Sequence, residues 1–199
     1  MKYKGIVSMS LLGIIPAGLS AHPHRPNILV ILADDYGWKD AGFMGSELYQ
    51  TPNLDRLASG SMIFTDGYSA CTVSSPSRAS LLTGLYPTAH GITTWIGDPS
   101  GTDWRSKGRH NRMLPAEYRH ELDTSFVTLP EVLKEYGYST FMAGKWHLGD
   151  KVTPQMQGFD VNKGGWEPGS PKGGYFAPYC NPELEDGPAG ENLSERLGR

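Results

Sequence analysis

The sequence predicts an α/β protein, because stretches typical of strands alternate along the chain with stretches typical of helices. The first stretch, residues 27–33 (NILVILA), is an apolar run without polar alternation, as in a strand buried on both faces of a parallel sheet. It ends in Asp34 and Asp35. Two carboxylates are therefore expected at the carboxyl end of a strand, where open α/β sheets bind their ligands.

The segments that follow continue this alternation. Residues 51–60 predict a short helix, with a threonine at the N-cap, a proline at the first helical position and a glycine at the end. Residues 61–65 predict the next strand, and residues 76–83 predict a helix that the next residue, a glycine, closes. A capping-box pattern predicts a helix over residues 128–137, and residues 138–143 predict the strand after it.

Two long stretches are expected to be irregular. Residues 95–124 are polar and basic, and residues 158–190 are rich in glycine and proline. Over the whole chain, 25 Gly and 15 Pro make up about 20% of 199 residues, against a usual ~12%. Residues 191–199 resemble the opening of a helix, and we interpret the chain as truncated at its C-terminal end.

The composition excludes several classes of protein. Five Trp, ten Tyr and six Phe supply material for a core, so the chain is not expected to be disordered. The net charge of −3 gives no electrostatic footprint for nucleic acid, and the composition excludes a multi-span membrane protein and a structural fibre. Cys71 and Cys180 can pair in an oxidising compartment, but two cysteines do not define a disulfide framework.

The N-terminus has the pattern of an export signal. Residues 1–4 carry two lysines, residues 5–16 are apolar, and small residues follow at 17–21. The apolar run is too short to span ~30 Å of hydrocarbon, so a cleaved signal is favoured over a short membrane anchor or a buried helix. We expect a signal peptide over residues 1–21, a mature domain over residues 22–199, no stable membrane insertion, and export to the periplasm or the medium.

The most specific pattern is that of residues 74–84, SSPSRASLLTG. They predict a turn that leads into a helix, whose first N–H groups and dipole favour an anion. Arg78 lies four residues beyond Ser74, and its guanidinium can hold an oxyanion. For a serine-rich helix start alone, an N-capped structural helix is the alternative.

This string resembles the signature of type I sulfatases. In that signature Cys or Ser, any residue, Pro, any residue and Arg precede a Thr-Gly pair. Residues in register with the serine-type form are Ser74, Pro76, Arg78, Thr83 and Gly84. The register therefore indicates a serine-type, arylsulfatase-like member of the family.

Further strings resemble the same family. Residues 27–37 resemble its first metal-binding strand, residues 144–149 (GKWHLG) resemble its second catalytic segment, and residues 52–58 also fit. The resemblance covers roughly residues 26–199 of the printed sequence. It implies the alkaline-phosphatase-like α/β sandwich, with a mixed central sheet between helices, of which this chain holds the N-terminal catalytic part only.

The resemblance implies a formylglycine nucleophile, made from the Cys or Ser that opens the signature. Cys71 is out of register, because Val73 stands where Pro is required and Ser75 where Arg is required. Ser74 is therefore the expected precursor, and the serine-type route implies maturation by a radical-SAM enzyme. An unmodified serine would be a weak nucleophile, since the motif contains no adjacent base.

Asp34 and Asp35 are hard oxygen donors, which suit Ca²⁺ or Mg²⁺ rather than soft metals. Seen alone, such a pair is more often a helix N-cap or a turn. The resemblance implies that both aspartates, together with residue 74, ligate Ca²⁺ (or Mg²⁺). Two aspartates do not complete a calcium site, and the Asp-Asn pair that supplies further ligands in the family has no counterpart in this sequence.

Lys145 and His147 are two residues apart, so on an extended segment they project to the same side. A cation and an imidazole at one point suit a sulfate ester, the first to hold charge and the second to move a proton. The resemblance implies that Lys145 stabilises sulfate oxygens, His147 accepts a proton and Arg78 stabilises the ionised nucleophile. His90 also resembles a family position, and it either takes part or braces the loop.

The expected function is hydrolysis of sulfate monoesters of a small molecule or, more specifically, a carbohydrate. A phosphate or phosphonate monoester hydrolase of the same superfamily is one alternative, because both esters present a tetrahedral anion. The other is an inactive chain that at most binds sulfated glycans through its basic stretch, residues 95–124. The expected partners are the sulfated substrate and the maturing enzyme, without nucleic acid.

Overall fold

The structure, a computed structural model, describes residues 25–199. The predicted signal peptide, residues 1–21, lies outside the described residues. The chain divides into a short unit, residues 1–33, and a main unit, residues 34–199, which holds every described helix and strand. Over the described part of the chain, no helix has the length and apolar character needed to cross a membrane.

In the short unit, residues 25–33 form neither helix nor strand. The strand predicted at residues 27–33 is therefore wrong for this chain. Its apolar side chains are exposed, by 84% at Leu29 and 75% at Ile31. An apolar run becomes a strand only where a neighbouring strand supplies backbone hydrogen bonds, and no described strand pairs with this one.

Three helices of the main unit confirm the sequence prediction. The first has its proline in the opening turn, as predicted, and the second begins at Ser74, two residues earlier than predicted. The third is preceded by Thr128, whose backbone N–H donates to the Glu131 carboxylate at 2.8 Å, as a capping box requires. The helices are α1 (Pro52–Ser59), α2 (Ser74–Thr83), α3 (Pro87–His90), α4 (Asp103–Ser106), α5 (Leu129–Glu135) and α6 (Leu193–Leu197), with 3₁₀ turns at Gly42–Met44 and Gln155–Gln157.

The described sheet has two parallel strands, β1 (Phe141–Ala143) and β2 (Val161–Lys163), with Phe141 opposite Val161. β1 is the second half of the strand predicted at residues 138–143. The strand predicted at residues 61–65 is not formed, and Phe64 within it is 77% exposed. The Gly144 N–H donates to the Lys163 carbonyl at 2.9 Å, so β2 also fixes where the chain leaves β1.

The core of the main unit surrounds the segment that follows β1. Trp146 and Leu148 are almost completely buried, and the ring of Phe159 meets the indole of Trp146 edge-on, with the centroids 6.4 Å apart. These two core residues alternate with Lys145 and His147. Their burial therefore places the two polar side chains on a rigid segment. The buried residues of this hydrophobic cluster are Ala79, Ile92, Leu122, Trp146 and Leu148.

His90 braces the start of the loop after α3. Its side chain is fully buried, and its Nδ1 accepts the Ile92 N–H at 3.2 Å. Nε2 therefore carries the proton and donates to the Ser80 Oγ at 3.1 Å. Burial lowers the pKa of His90. The imidazole is thus a neutral structural group, which favours the bracing interpretation over the catalytic one.

We expect the chain to lose stability as the pH falls below the ordinary histidine pKa of 6.5. Because the pKa of His90 is lowered by folding, the unfolded chain binds a proton at a higher pH than the folded chain does. The stability contribution is present above pH 6.5 and is lost as the pH falls toward the folded-state pKa. Urea midpoints at about pH 7.5 and about pH 5.5 measure this loss, which should be smaller in His90→Gln. An equal loss in both proteins contradicts the assignment.

Candidate active site

Ser74 is the first residue of α2, and its side chain lies against the imidazole of His147. The Ser74 Oγ and the His147 Nδ1 are 3.0 Å apart. The neighbouring Ser75 is fully buried, and its Oγ accepts the Ile96 N–H at 3.0 Å. This contact holds the start of α2, whose free N–H groups and dipole favour negative charge. The helix therefore presents Ser74 at an end that suits an anion.

His147 is held in one tautomer. Its Nε2 lies 3.0 Å from the Ile96 carbonyl, which can only accept, so Nε2 carries the proton. Nδ1 is then free to accept from the Ser74 hydroxyl. Burial lowers the pKa of His147, and the positive charges of Lys145 and Arg78 lower it further. The site thus contains a neutral imidazole positioned as a base on Ser74.

The backbone of His147 is unusual. Its φ is 57°, in the left-handed region, which a residue other than glycine occupies at a cost of about 1–3 kcal/mol. The His147 N–H donates to the Trp166 carbonyl at 3.2 Å, which helps to hold this conformation. The regular extended segment expected from the sequence is therefore not formed. Lys145 still contacts Asp34, and His147 still contacts Ser74.

The carboxylate of Asp34 pairs with two cationic side chains that are distant from it in sequence. Its Oδ2 accepts from the Lys145 Nζ at 2.6 Å, and its Oδ1 accepts from the Arg78 Nη2 at 3.1 Å. Arg78 also donates through Nη1 to the Lys145 carbonyl at 2.7 Å. Burial raises the pKa of Asp34, but the hydrogen bonds and charges of Lys145 and Arg78 outweigh it and hold this pKa below its usual range.

Arg78 keeps one donor available. Its side chain is largely buried, and its Nε–H has no hydrogen-bond acceptor among residues 25–199. A buried guanidinium N–H without a partner is costly, so such a group indicates a missing acceptor. An oxygen of an anionic ligand would satisfy it.

The predicted metal ligands are present only in part. Asp34 and Asp35 are hard oxygen donors, and they fit Ca²⁺ or Mg²⁺ in type. Both oxygens of Asp34 already pair with cations, and Asp35 does not join that cluster. The described residues contain no group of three or more His, Cys, Asp or Glu suited to a metal ion. The donors therefore fit a hard cation in kind but do not complete its ligand shell.

The cysteines are not joined. Cys71 is half-buried and Cys180 is exposed, and both are free thiols. The pairing that the sequence left open is therefore not formed. The backbone carbonyl of Cys71, rather than its sulfur, accepts the Ser77 hydroxyl at 2.7 Å. This arrangement gives no reason to assign the nucleophile to Cys71 instead of Ser74.

A family model for sulfatases matches residues 26–178, which is most of the chain. The chain belongs to the sulfatase family. The chain is 39% identical to mouse N-acetylgalactosamine-6-sulfatase over 178 residues, which cover 88% of this chain and 31% of that protein. It is 43% identical to bovine arylsulfatase A over 135 residues, with coverages of 68% and 23%. The chain spans about a third or less of the length of these curated relatives.

Solved structures confirm the fold class. A protein of Bacteroides thetaiotaomicron glycosaminoglycan metabolism aligns with a TM-score of 0.55 at 35% identity, covering 69% of this chain and 28% of that one. The phosphonate monoester hydrolase of Agrobacterium radiobacter aligns with a TM-score of 0.51 at 22% identity, covering 73% and 27%, and it shows the fold alone. The chain thus has part of the alkaline-phosphatase-like α/β fold, with a small parallel sheet among its described residues.

Two residues that hold His147 have no sequence signal. Ile96 and Trp166 act through their carbonyls, which every residue possesses, so no motif marks them. The signature also lacks a base beside Ser74. The tertiary structure brings the imidazole of His147, 73 residues away, to within hydrogen-bond distance of the Ser74 hydroxyl.

Proposed function

We propose that this sulfatase hydrolyses sulfate monoesters, and that its substrate is a sulfated carbohydrate. The observation that carries the proposal is the environment of Arg78 on α2. Its side chain is buried, donates to the Lys145 carbonyl and keeps an Nε–H without an acceptor among residues 25–199. Ser74, at the start of the same helix, contacts His147. Cations of this kind stabilise sulfate oxygens, and the imidazole handles a proton. The relatives named for N-acetylgalactosamine-6-sulfate and for glycosaminoglycan metabolism support the substrate class.

In this proposal each side chain has a separate task. After the alcohol has left, the hydroxyl on residue 74 that did not attack sulfur donates to the His147 Nδ1, and its loss of the proton releases sulfate. Nδ1 takes up this proton because the Nε2–H already donates to the Ile96 carbonyl. Arg78 stabilises the hydroxyl oxygen as it becomes ionised. Lys145 exchanges part of its contact with Asp34 for an oxygen of the sulfate.

We further propose two groups that complete the site. Oxidation of Ser74 to formylglycine, by a radical-SAM maturing enzyme, would supply a hydrated aldehyde with one hydroxyl to attack sulfur and a second to release sulfate. Asp34 and Asp35 would hold Ca²⁺ or Mg²⁺, which would lower the charge on the reacting oxygens. The proposed catalytic domain is residues 22–199, exported to the periplasm or the medium after loss of residues 1–21.

The test compares hydrolysis of an aryl sulfate with hydrolysis of the matching aryl phosphate, using one preparation of the matured protein. We expect the sulfate to be hydrolysed faster. Faster hydrolysis of the phosphate would overturn the proposal in favour of a phosphate or phosphonate monoester hydrolase. Binding of sulfated glycan without hydrolysis of either ester would instead support a chain without catalytic activity.

We expect Asp35→Asn and Asp34→Asn to weaken Ca²⁺ binding and turnover together, because each removes a charged hard ligand. The affinity for Ca²⁺ should fall by more than about tenfold, which is typical of replacing a residue that contacts a ligand rather than the metal. Calorimetric titration with Ca²⁺ measures it, with the exposed Asp66→Asn as the control. Asp35→Asn is the cleaner variant, because Asp34 also bridges Arg78 and Lys145. Full turnover after exhaustive chelation would refute the metal assignment.

We expect His147→Ala to give a burst of alcohol followed by slow turnover. The reason is that His147 is assigned to the release of sulfate, which follows departure of the alcohol. Rapid-mixing kinetics with a chromogenic aryl sulfate measures the burst, and its size should match the concentration of enzyme. A slow reaction without a burst would place His147 in the first step or give it a positional role.

A further inference from the structure

A small cavity opens beside Lys145 and is lined by Gly144 and Gly164, which directly follow β1 and β2, and by Leu197 of α6. Its volume of about 100 Å³ is below the ~300–1,000 Å³ of a pocket for a drug-sized ligand. It therefore has room for one ring edge and its substituent rather than an oligosaccharide. Among the residues that line it are two lysines and no acidic residue. The lining residues include Lys145, Trp166, Lys172, Tyr179, Asn181 and Leu197.

One wall of the cavity is the loop of residues 166–174, which also touches His147. The Trp166 carbonyl accepts the His147 N–H at 3.2 Å. Gly169 lies against the imidazole, and a Cβ at this position would be 2.6 Å from the His147 Cε1. Only glycine fits so close an approach. The loop that shapes the cavity therefore packs directly on the candidate base.

Lys172 supplies a positive charge that no carboxylate of residues 25–199 neutralises through an ion pair. Its Nζ lies 5.4 Å from the centroid of the Trp166 ring, in a cation–π arrangement. Lys172 is exposed and takes part in none of the ion pairs of the described residues, whereas Lys145 is paired with Asp34. An aromatic face and an unpaired ammonium group are thus presented together at the cavity.

The opposite wall is apolar and firmly held. Tyr179 and Leu184 are buried in a second hydrophobic cluster, against which Leu197 of α6 packs. The Tyr179 hydroxyl donates to the Glu191 carbonyl at 2.8 Å, and the Asn181 Nδ2 donates to the Gly164 carbonyl at 3.0 Å. The wall is therefore preformed rather than assembled by a ligand.

We propose that this cavity is a specificity subsite for a sugar ring that carries a second negative group. The apolar face of the ring packs on Trp166, and its carboxylate or second sulfate pairs with Lys172, beside the sulfate held at Lys145. Lys172 and Trp166 thus determine specificity and take no part in bond breaking. The inference rests on the proposed sulfatase activity and names a property of its substrate.

The test measures KM and kcat of the matured protein with three substrates: a sulfated disaccharide with a carboxylate, one with a second sulfate, and an aryl sulfate without either. Lys172→Gln should raise KM for a charged disaccharide about tenfold at unchanged kcat, and leave the aryl sulfate unaffected. The disaccharide with the larger effect identifies the group that Lys172 binds. Lys172→Arg should retain most of the affinity, because it retains the charge.

The matched control is Lys39→Gln, which removes the cation of another Lys–Trp pair, 4.9 Å from the Trp38 ring and outside the cavity. An unchanged KM for both charged disaccharides in Lys172→Gln would overturn the subsite. Calorimetric titration of the same disaccharides into Ser74→Ala, with and without Lys172→Gln, makes the comparison without turnover. Failure of the sulfatase proposal is recognised separately, as a wild-type protein that hydrolyses no sulfate ester. In that case, equal Kd values of a charged disaccharide for Ser74→Ala and for Ser74→Ala combined with Lys172→Gln would still overturn the subsite.

Discussion

Replacing Ser74 by alanine is expected to lower turnover of an aryl sulfate by about 10⁴–10⁶-fold, the scale for loss of a nucleophile. Ser74 is the residue whose hydroxyl lies 3.0 Å from the His147 Nδ1, and alanine cannot replace that oxygen. Alanine has a high helix propensity, so α2 should stay folded. Initial rates at saturating substrate measure the loss, and an unchanged thermal midpoint separates it from unfolding.

The matched control is Cys71→Ala, which changes the cysteine that stands three residues before Ser74. Cys71 is a free, half-buried thiol, and its backbone carbonyl accepts hydrogen bonds from the Ser69 and Ser77 hydroxyls, which Cys71→Ala leaves in place. Turnover should therefore be largely unchanged. Turnover that is retained in Ser74→Ala but lost in Cys71→Ala would show that the nucleophile has been assigned to the wrong residue.

The same residue allows a direct chemical test. When the chain is matured by an anaerobic sulfatase-maturing enzyme, the peptide that contains Ser74 should become lighter by the mass of two hydrogen atoms, because the alcohol is oxidised to an aldehyde. Mass spectrometry of the digested protein measures this. An unchanged mass in an active preparation would overturn the formylglycine proposal. It would leave Ser74 as a hydroxyl activated by His147.

Replacing Lys145 by alanine is expected to lower kcat/KM by roughly 10²–10³, the scale for loss of one oxyanion donor. The ammonium group is held 2.6 Å from the Asp34 Oδ2, so its position is set before substrate binds. Lys145→Arg should restore little, because a planar guanidinium keeps the charge but not the compact geometry of an ammonium group. Steady-state kinetics with an aryl sulfate measures both variants.

A second ion pair provides the control for charge removal. Lys134 of α5 pairs with Asp160 at 2.8 Å, and both side chains are partly exposed. The Lys134 ammonium group and the Thr140 N–H, which also donates to this carboxylate, lower the pKa of Asp160 to about 2. Lys134→Ala should leave kcat/KM unchanged and change stability little, because ion pairs exposed to solvent contribute little to stability. If Lys145→Ala behaves in the same way, Lys145 holds no sulfate oxygen.

The helices that could be predicted from sequence are those with local signals. α1 has a proline in its first turn, and α5 has its capping box, so the residues that start these helices lie within a few positions of each other. The strands at residues 27–33 and 61–65 were predicted wrongly, because apolar character shows that a segment seeks cover but not which strand pairs with it. Helix hydrogen bonds are local, whereas those of a strand depend on a partner.

The candidate site likewise has features that local sequence determines and features that depend on distant segments. By itself the sequence determined the family and the chemical types of its groups: the hydroxyl of Ser74, the cations Arg78 and Lys145, the imidazole of His147 and the carboxylate of Asp34. Motif spacing carries this information, because each motif is a short segment with its own register.

Only the tertiary structure decided which of these groups touch. It brings His147 to Ser74 across 73 residues and Lys145 to Asp34 across 111 residues. It also leaves the buried Arg78 Nε–H without an acceptor among the described residues. The physical reason is that these contacts depend on the left-handed backbone of His147 and on the burial of Trp146 beside it. Both follow from packing between distant segments, which no local pattern encodes.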